Sequence, residues 1–409
     1  MDYTFIPGGI TAAKDFLAAG EHLGIRKNRE KRDVALIVSR RRAAAACCYT
    51  QNLVKGAPII ATMENVADGY AQAVVCNSGN ANTCNANGME IARGMCLLVQ
   101  EHTGIDFRDV VVASTGVIGQ QMSLEPFENG MGRLVDALEA SPEGSAAAAQ
   151  AIMTTDTVMK EVAVSFTLGG KRCALGGIAK GSGMICPNMA TMLCFLTTDA
   201  AIAQDVLQHA LSGVVQNTFN MLSVDGDTST NDMVSLLANG AAGNPQITEI
   251  SDPGFAVFEA ALEAVCEKLC RMMAKDGEGA TKLITCTVSE AATLEIARAC
   301  AKSVIKSPLV KAALFGADAN WGRVLCALGY AGVPIDISKV DLDFASPKGT
   351  LALCRGGAGI PFEEETAKEV LGEDEIDILV RLGSGQAAAT AWGCDLTYDY
   401  VRINGDYRT

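Results

Sequence analysis

Four segments dense in Gly, Asn and hydroxyl residues follow apolar runs, and loops of that composition beside strands often carry function. In the first, Lys180–Leu193, a Gly-rich turn leads through Pro187 to Ala190, Thr191 and an apolar run. Its lysine precedes the glycines, whereas a phosphate loop places Lys after them at a helix start, so nucleotide binding is disfavoured. The Thr191 hydroxyl is a candidate nucleophile only if something activates it. Cys186 and Cys194 flank it and stand as alternatives, because a thiolate outcompetes a hydroxyl. The second segment, Ala113–Gly119, has a Thr115-Gly116 step after a strand-like run. A hydroxyl and a bare backbone N–H at such a step can meet one developing oxyanion; the plain alternative is a turn. Asn77–Gly88 reads as a tight turn with a helix cap, or as a polar wall. The fourth segment, Ser223–Asp232, looks like a calcium loop, but Thr230 and Leu236 stand where an EF-hand needs Gly and Glu.

Other chemistries have little to build on. The histidines are His22, His102 and His209. His22 and His209 lie in helix-like segments and His102 near a helix end, which suits surface or capping roles. The 15 Cys are odd in number and form no CxxC, so they read as reduced, small, buried apolar residues, and no metal site is expected. With 33 Lys plus Arg against 47 Asp plus Glu, the net charge of −14 repels phosphate backbones and anionic lipids, so nucleic acid is an unexpected partner. The uncharged stretch that might suggest a membrane span, Gly181–Thr198, contains Pro187, Asn188 and hydroxyl residues and is too polar to span lipid. The opening residues lack a basic region followed by an apolar run, so the expected location is cytoplasmic.

The elements that must position these loops alternate. Runs 34–38, 72–76 and 110–113 are rich in Val, Ile or Ala and bounded by turn residues, and they read as buried strands. Apolar spacing of three and four predicts helices over 91–101, 134–140, 146–152, 202–219 and 255–274. Such mixing favours an α/β or α+β layered fold over a bundle or sandwich. Neither candidate boundary divides the chain: 239–245 reads as a loop within a domain and the acidic stretch 363–377 as a solvated helix.

Residues 180–193, continuing through Thr197-Thr198-Asp199-Ala200, closely resemble the self-cleaving centre of the ornithine acetyltransferase family, the glutamate N-acetyltransferases of arginine biosynthesis. The likeness runs in order along the chain: Pro7–Ala12, Asn77–Asn82, Ser114–Gly119, Met153–Thr157, Ser223–Asp232, Lys275–Ala280, Gly316–Arg323 and Tyr400–Thr409. The departures, at Cys186, Cys194 and 47–52, touch no residue to which the resemblance gives a role.

What the resemblance implies is self-cleavage between Ala190 and Thr191, giving an α chain of residues 1–190 and a β chain of residues 191–409 that starts with its nucleophile. The new α-amine, with an ordinary pKa of about 7.7–8.0 against about 10.4 for Lys, is a far better proton acceptor near neutrality. The implied reaction carries acetyl from N2-acetyl-L-ornithine to L-glutamate through an acetyl ester on Thr191, in ping-pong fashion, with Thr115 and Gly116 as the oxyanion hole. Implied substrate contacts are Thr154, Lys180, Thr191, Glu278, Asn404 and Thr409. Lys180 suits an α-carboxylate and Glu278 an ammonium group. No resident cofactor is implied, although acetyl-CoA serves some family members as a second acetyl donor. Two α and two β chains are the implied assembly. The implied fold is a layered helix-sheet-sheet-helix sandwich of the N-terminal-nucleophile-like type with a smaller C-terminal α/β portion. Two other readings stay open here: an N-terminal-nucleophile amidohydrolase or aminopeptidase, and an uncleaved amino-acid-binding relative.

Overall fold

The computed structural model describes residues 3–186 and 192–405. The chain forms two compact units, neither of them a continuous stretch: unit 1 takes Met1–Gly181, Pro187–Gln216 and Thr228–Leu269, and unit 2 takes Ser182–Cys186, Asn217–Asp227 and Cys270–Thr409.

Unit 1 is built on a nine-stranded sheet. Its strands are β1 (Tyr3–Ile6), β2 (Phe16–Glu21), β3 (Val34–Tyr49), β4 (Tyr70–Asn77), β5 (Val110–Ser114), β6 (Lys160–Leu168), β7 (Lys171–Lys180) and β8 (Leu193–Thr198). Past the two-residue β9 (Leu222–Ser223), which belongs to the other sheet, β10 (Met233–Ala238) completes it. The order is β1-β6-β7-β8-β10-β3-β4-β5, with β2 on β3. The β4/β5 and β8/β10 pairs are parallel. The helices are α1 (Ala57–Asn65), α2 (Gly88–Thr103), α3 (Glu125–Asp136), α4 (Pro142–Ala151), α5 (Gln204–Asn217) and α6 (Pro253–Lys275), whose last six residues fall in unit 2.

The alternation of side chains along the strands explains why the central runs are apolar throughout. Val34, Leu36, Val75, Val110 and Val112 face a core shared with α2 and α3, while Ala35, Ile37, Val74, Val111 and Ala113 face a second core shared with α4. A strand covered on both sides cannot alternate polar with apolar. Local signals fix the helix ends: Ser141 caps α4 by accepting the Gly144 N–H, with Pro142 following it, and Gly104 ends α2 in the left-handed region.

Unit 2 holds a seven-stranded sheet of β9, β11 (Leu283–Ala291), β12 (Asp341–Ser346), β13 (Gly349–Arg355), β14 (Ala358–Gly359), β15 (Glu375–Arg381) and β16 (Ala387–Cys394). Its helices are α7 (Leu294–Lys306), α8 (Pro308–Phe315), α9 (Trp321–Gly329), α10 (Glu364–Leu371) and α11 (Tyr398–Asn404). Helix α7 buries Ala297, Cys300, Ala301 and Val304, an i, i+3, i+4, i+7 stripe, and packs on β11 and β16.

The mixed α/β class expected from the sequence is therefore the observed one, with three local corrections. The helix expected over 134–140 lies earlier, at Glu125–Asp136, because Phe127, Met131 and Leu134 fill the α2-side core while Glu139 bridges to Ala18 of β2. Only Glu364–Leu371 of the acidic stretch is helical; Glu375–Asp377 opens β15. His22 is not helical either, since it follows β2, and its Nδ1 lies 3.2 Å from buried Asp33. All the cysteines are free thiols, and all but Cys47, Cys84 and Cys326 are buried. Among the described residues no helix is long and apolar enough to cross a membrane, and no group of three or more His, Cys, Asp or Glu is placed to hold a metal ion.

Candidate active site

The parallel pair β4/β5, joined through α2, presents two loops at its C-terminal ends, the place where α/β sheets bind ligands. Asn77 ends β4 opposite Ser114, which ends β5. The Thr115 N–H donates to the Asn77 carbonyl at 2.9 Å. Gly116 has φ +129°, and a Cβ there would lie 2.8 Å from the Asn80 nitrogen and from the Gly79 carbonyl carbon. Only glycine can take this conformation against that backbone. The Asn77 side chain donates to Ser114 Oγ and accepts the Gly79 and Asn80 N–H groups, and Asn80 Nδ2 donates to the Gln120 carbonyl. Buried Asn231 braces the same place from the loop before β10, donating to the Ala81 carbonyl at 2.6 Å and the Ser114 carbonyl at 3.0 Å. Within this frame, neither the Thr115 hydroxyl nor the Gly116 N–H has a hydrogen-bond partner among the described residues. The Asn-rich segment 77–82 is thus the brace of the Thr115-Gly116 step.

Lys180 ends β7 opposite Leu193, the first residue of β8, and it is only 7% exposed, unlike an ordinary surface lysine. Its electrostatic partner is Asp156. That carboxylate accepts the Lys160 ammonium at 2.7 Å, the Gly181 N–H at 2.8 Å and the Thr154 N–H at 3.0 Å. Burial pushes the Asp156 pKa up, but the charges of Lys180 and Lys160 and the Thr154 N–H outweigh it and hold the group well below the usual carboxylate range. Asp156 therefore ties the Thr154 loop to the end of β7.

A second clamp joins the Thr154 loop to the brace. The Arg26 guanidinium donates to the Ser78 carbonyl from Nε at 3.0 Å and from Nη2 at 2.6 Å, and also to the Met153 carbonyl. Arg26 is itself placed by Asp33, which accepts the Leu23, Gly24 and Arg26 N–H groups. Lysine cannot reproduce such a fork. Arg26→Lys should therefore loosen both neighbouring loops and lower kcat/KM by about tenfold, the scale of a small misplacement, with the melting temperature changed little. Kinetics and thermal melts of the two proteins check this.

In unit 2, Glu278 is 8% exposed and accepts from Asn404 Nδ2 at 2.7 Å. Gly183 permits this placement, because a Cβ there would overlap the Glu278 carboxyl group. The Glu278 N–H donates to the Ser182 carbonyl at 2.9 Å, and Ser182 Oγ to the Asp276 carbonyl at 2.7 Å. Gly279, at φ +69°, lies so close to Asp399 and the Tyr400 nitrogen that a side chain would displace α11. Thr397 caps α11 and also donates to the Gly279 carbonyl. The C-terminal helix is thereby docked as far as Asn404, where fraying is the ordinary expectation.

Of the residues singled out in the sequence, Thr115, Gly116, Thr154 and Lys180 fall in unit 1, while Glu278 and Asn404 pair in unit 2. Ala190, Thr191 and Thr409 lie outside the described residues. Cys194 is fully buried within β8, and burial pushes its thiol well up, which removes it as a nucleophile. Residues that sequence reasoning missed are Arg26, Asp156, Gly183 and Asn231. Asp156, Gly183 and Asn231 lie inside segments the sequence singles out, but nothing local gave their roles, and Arg26 lies outside all of those segments.

The fold and its braced loop are those of a mixed α/β enzyme with two sheets. A sequence model of the ArgJ family matches residues 17–409. The arginine biosynthesis bifunctional protein ArgJ of Caldanaerobacter subterraneus subsp. tengcongensis is 50% identical over 405 residues, 99% of either chain. That of Symbiobacterium thermophilum is 51% identical over 410 residues, 99% of this chain and all of the relative. The crystal structure of ArgJ from Bacillus halodurans is 46% identical and covers 51% of this chain and 96% of its own, with a TM-score of 0.49. The chain belongs to the ArgJ family.

Proposed function

We propose that this enzyme carries acetyl from N2-acetyl-L-ornithine to L-glutamate through an acetyl ester on Thr191, which self-cleavage at Ala190–Thr191 makes the first residue of a β chain. The observation that carries this reading is the Thr115 hydroxyl and Gly116 N–H, held on a rigid frame with no partner among the described residues. Such preorganised donors stabilise the oxyanion of a tetrahedral intermediate. In the first half-reaction Thr191 Oγ adds to the acetyl carbon while the α-amine accepts the hydroxyl proton. The C–N bond then breaks, and the same proton passes to the departing ornithine amine. Glutamate reverses these steps. We assign Lys180 to the substrate carboxylate, Glu278 with Asn404 to its ammonium group, and Thr154 and Thr409 to further contacts. The burial of Lys180 and Glu278 supports this, because a substrate charge pairs most strongly where water is scarce.

This reading includes no resident cofactor, with acetyl-CoA as a further acetyl donor, and an assembly of two α and two β chains in the cytoplasm. Mass spectrometry and a denaturing gel of active protein test its foundation: two polypeptides are expected, beginning at residues 1 and 191. Incubation with acetylornithine tests the acceptor. Rapid ornithine release only when glutamate is present supports transfer, and equal release without it would make the protein a hydrolase.

A further inference from the structure

Apart from Asn231, which braces the Thr115 step, the Ser223–Asp232 loop, which fails as a calcium site, has no part in the proposed reaction. Its Asp225 nevertheless holds unit 2's share of the chain ahead of the proposed cleavage site. The two carboxylate oxygens accept the Met184 N–H at 2.6 Å and the Ile185 N–H at 2.8 Å. Beside them the Val224 N–H donates to the Ile185 carbonyl at 2.6 Å, so the two segments exchange bonds in both directions. Ser182, at the other end of this short run, is tied to Asp276 and Glu278. Met184 has φ +56°, an unfavourable conformation for a side chain that two adjacent N–H groups aimed at one carboxylate can maintain. Two further groups face the carboxylate: the Asp227 N–H, 3.2 Å from Oδ1, and the Tyr400 hydroxyl of α11, 3.3 Å from Oδ2.

We propose that Asp225 is a positioning residue for self-cleavage: by gripping Met184 and Ile185 it sets the direction in which the chain leaves toward the Ala190–Thr191 bond. This rests on Thr191 as the self-cleaving nucleophile. In that step Thr191 Oγ adds to the Ala190 carbonyl carbon and the C–N bond breaks. The hydroxyl proton passes to the nitrogen that becomes the α-amine, and water hydrolyses the resulting ester to the Ala190 carboxylate. Attack on a bond within the same chain depends on orientation. Asparagine at 225 keeps the size of the side chain but replaces one acceptor with an NH2 group facing an N–H donor.

The test follows the full-length precursor on a denaturing gel over time. Asp225→Asn is expected to lengthen the half-time of cleavage at least about tenfold. Tyr400→Phe, which removes only the contact from α11, is expected to cleave at the wild-type rate. Thr191→Ala and Thr191→Ala/Asp225→Asn, both uncleaved, are expected to melt within about 4 °C of each other. Wild-type speed in Asp225→Asn overturns the proposal. So does equal slowing in Tyr400→Phe, or a fall in melting temperature beyond that margin, which would make Asp225 simply structural. A wild-type chain that stays intact overturns the reading of Thr191 itself and this proposal with it.

Discussion

Thr115→Ala is expected to lower turnover by about 10²–10³-fold while leaving KM for acetylornithine close to the wild-type value, the usual result of losing one oxyanion donor. The hydroxyl has no partner among the described residues, so its removal orphans no neighbouring group. The melting temperature should stay put, since Thr115 is held through its backbone N–H, which the substitution keeps. Steady-state kinetics beside a thermal melt decide the matter: undiminished turnover removes Thr115 from the mechanism, and a collapse in stability makes it a packing residue.

Gly116→Ala should do more harm by a different route. Its Cβ meets backbone atoms of Gly79 and Asn80 rather than a flexible side chain, and φ +129° is strained for any residue with a Cβ. Strain of this sort costs about 1–3 kcal/mol, and relief requires the loop to shift by a few tenths of an ångström or more. We expect turnover to fall at least about 10²-fold, because misplacement near 1 Å has that effect. Unlike Thr115→Ala, this variant should also melt at a lower temperature. Retention of both activity and stability would show that the Gly116 N–H is not a donor to the reaction.

Much of this arrangement was legible in the residues, and the parts that were not share a cause. The runs at 34–38, 72–76 and 110–113 stand out as strands because both faces are covered, which leaves the whole stretch apolar. The second half of β3 escapes such reading. Arg40, Arg41 and Arg42 interrupt it where the pairing slips, and the Ala-rich residues after them have little strand propensity; they become a strand by pairing with β10, about 190 residues later. Gly130 and Gly132 weaken the local signal for α3, which is held by the core contacts of Phe127 and Met131. At the site, roles for Thr115, Lys180 and Glu278 were visible, whereas those of Arg26, Asp156 and Asp225 were not, although the last two lie inside recognised motifs. Each of these three grips backbone groups, and which groups it grips is set by the fold and leaves no pattern in the local sequence.

The strand order has a further consequence if the proposed cut falls between residues 190 and 191. On the N-terminal side of that bond lie β3 and β7; on the other side lie β8 and β10. The sheet shuffles them, with β8 zipped to β7 from Lys180↔Leu193 onward and β10 to β3 from Tyr49↔Met233 onward. Two polypeptides woven along two seams of one sheet cannot drift apart by dilution, as ordinary subunits do. They separate only when the sheet itself melts, so parting them and losing the fold should be a single event in a denaturant titration.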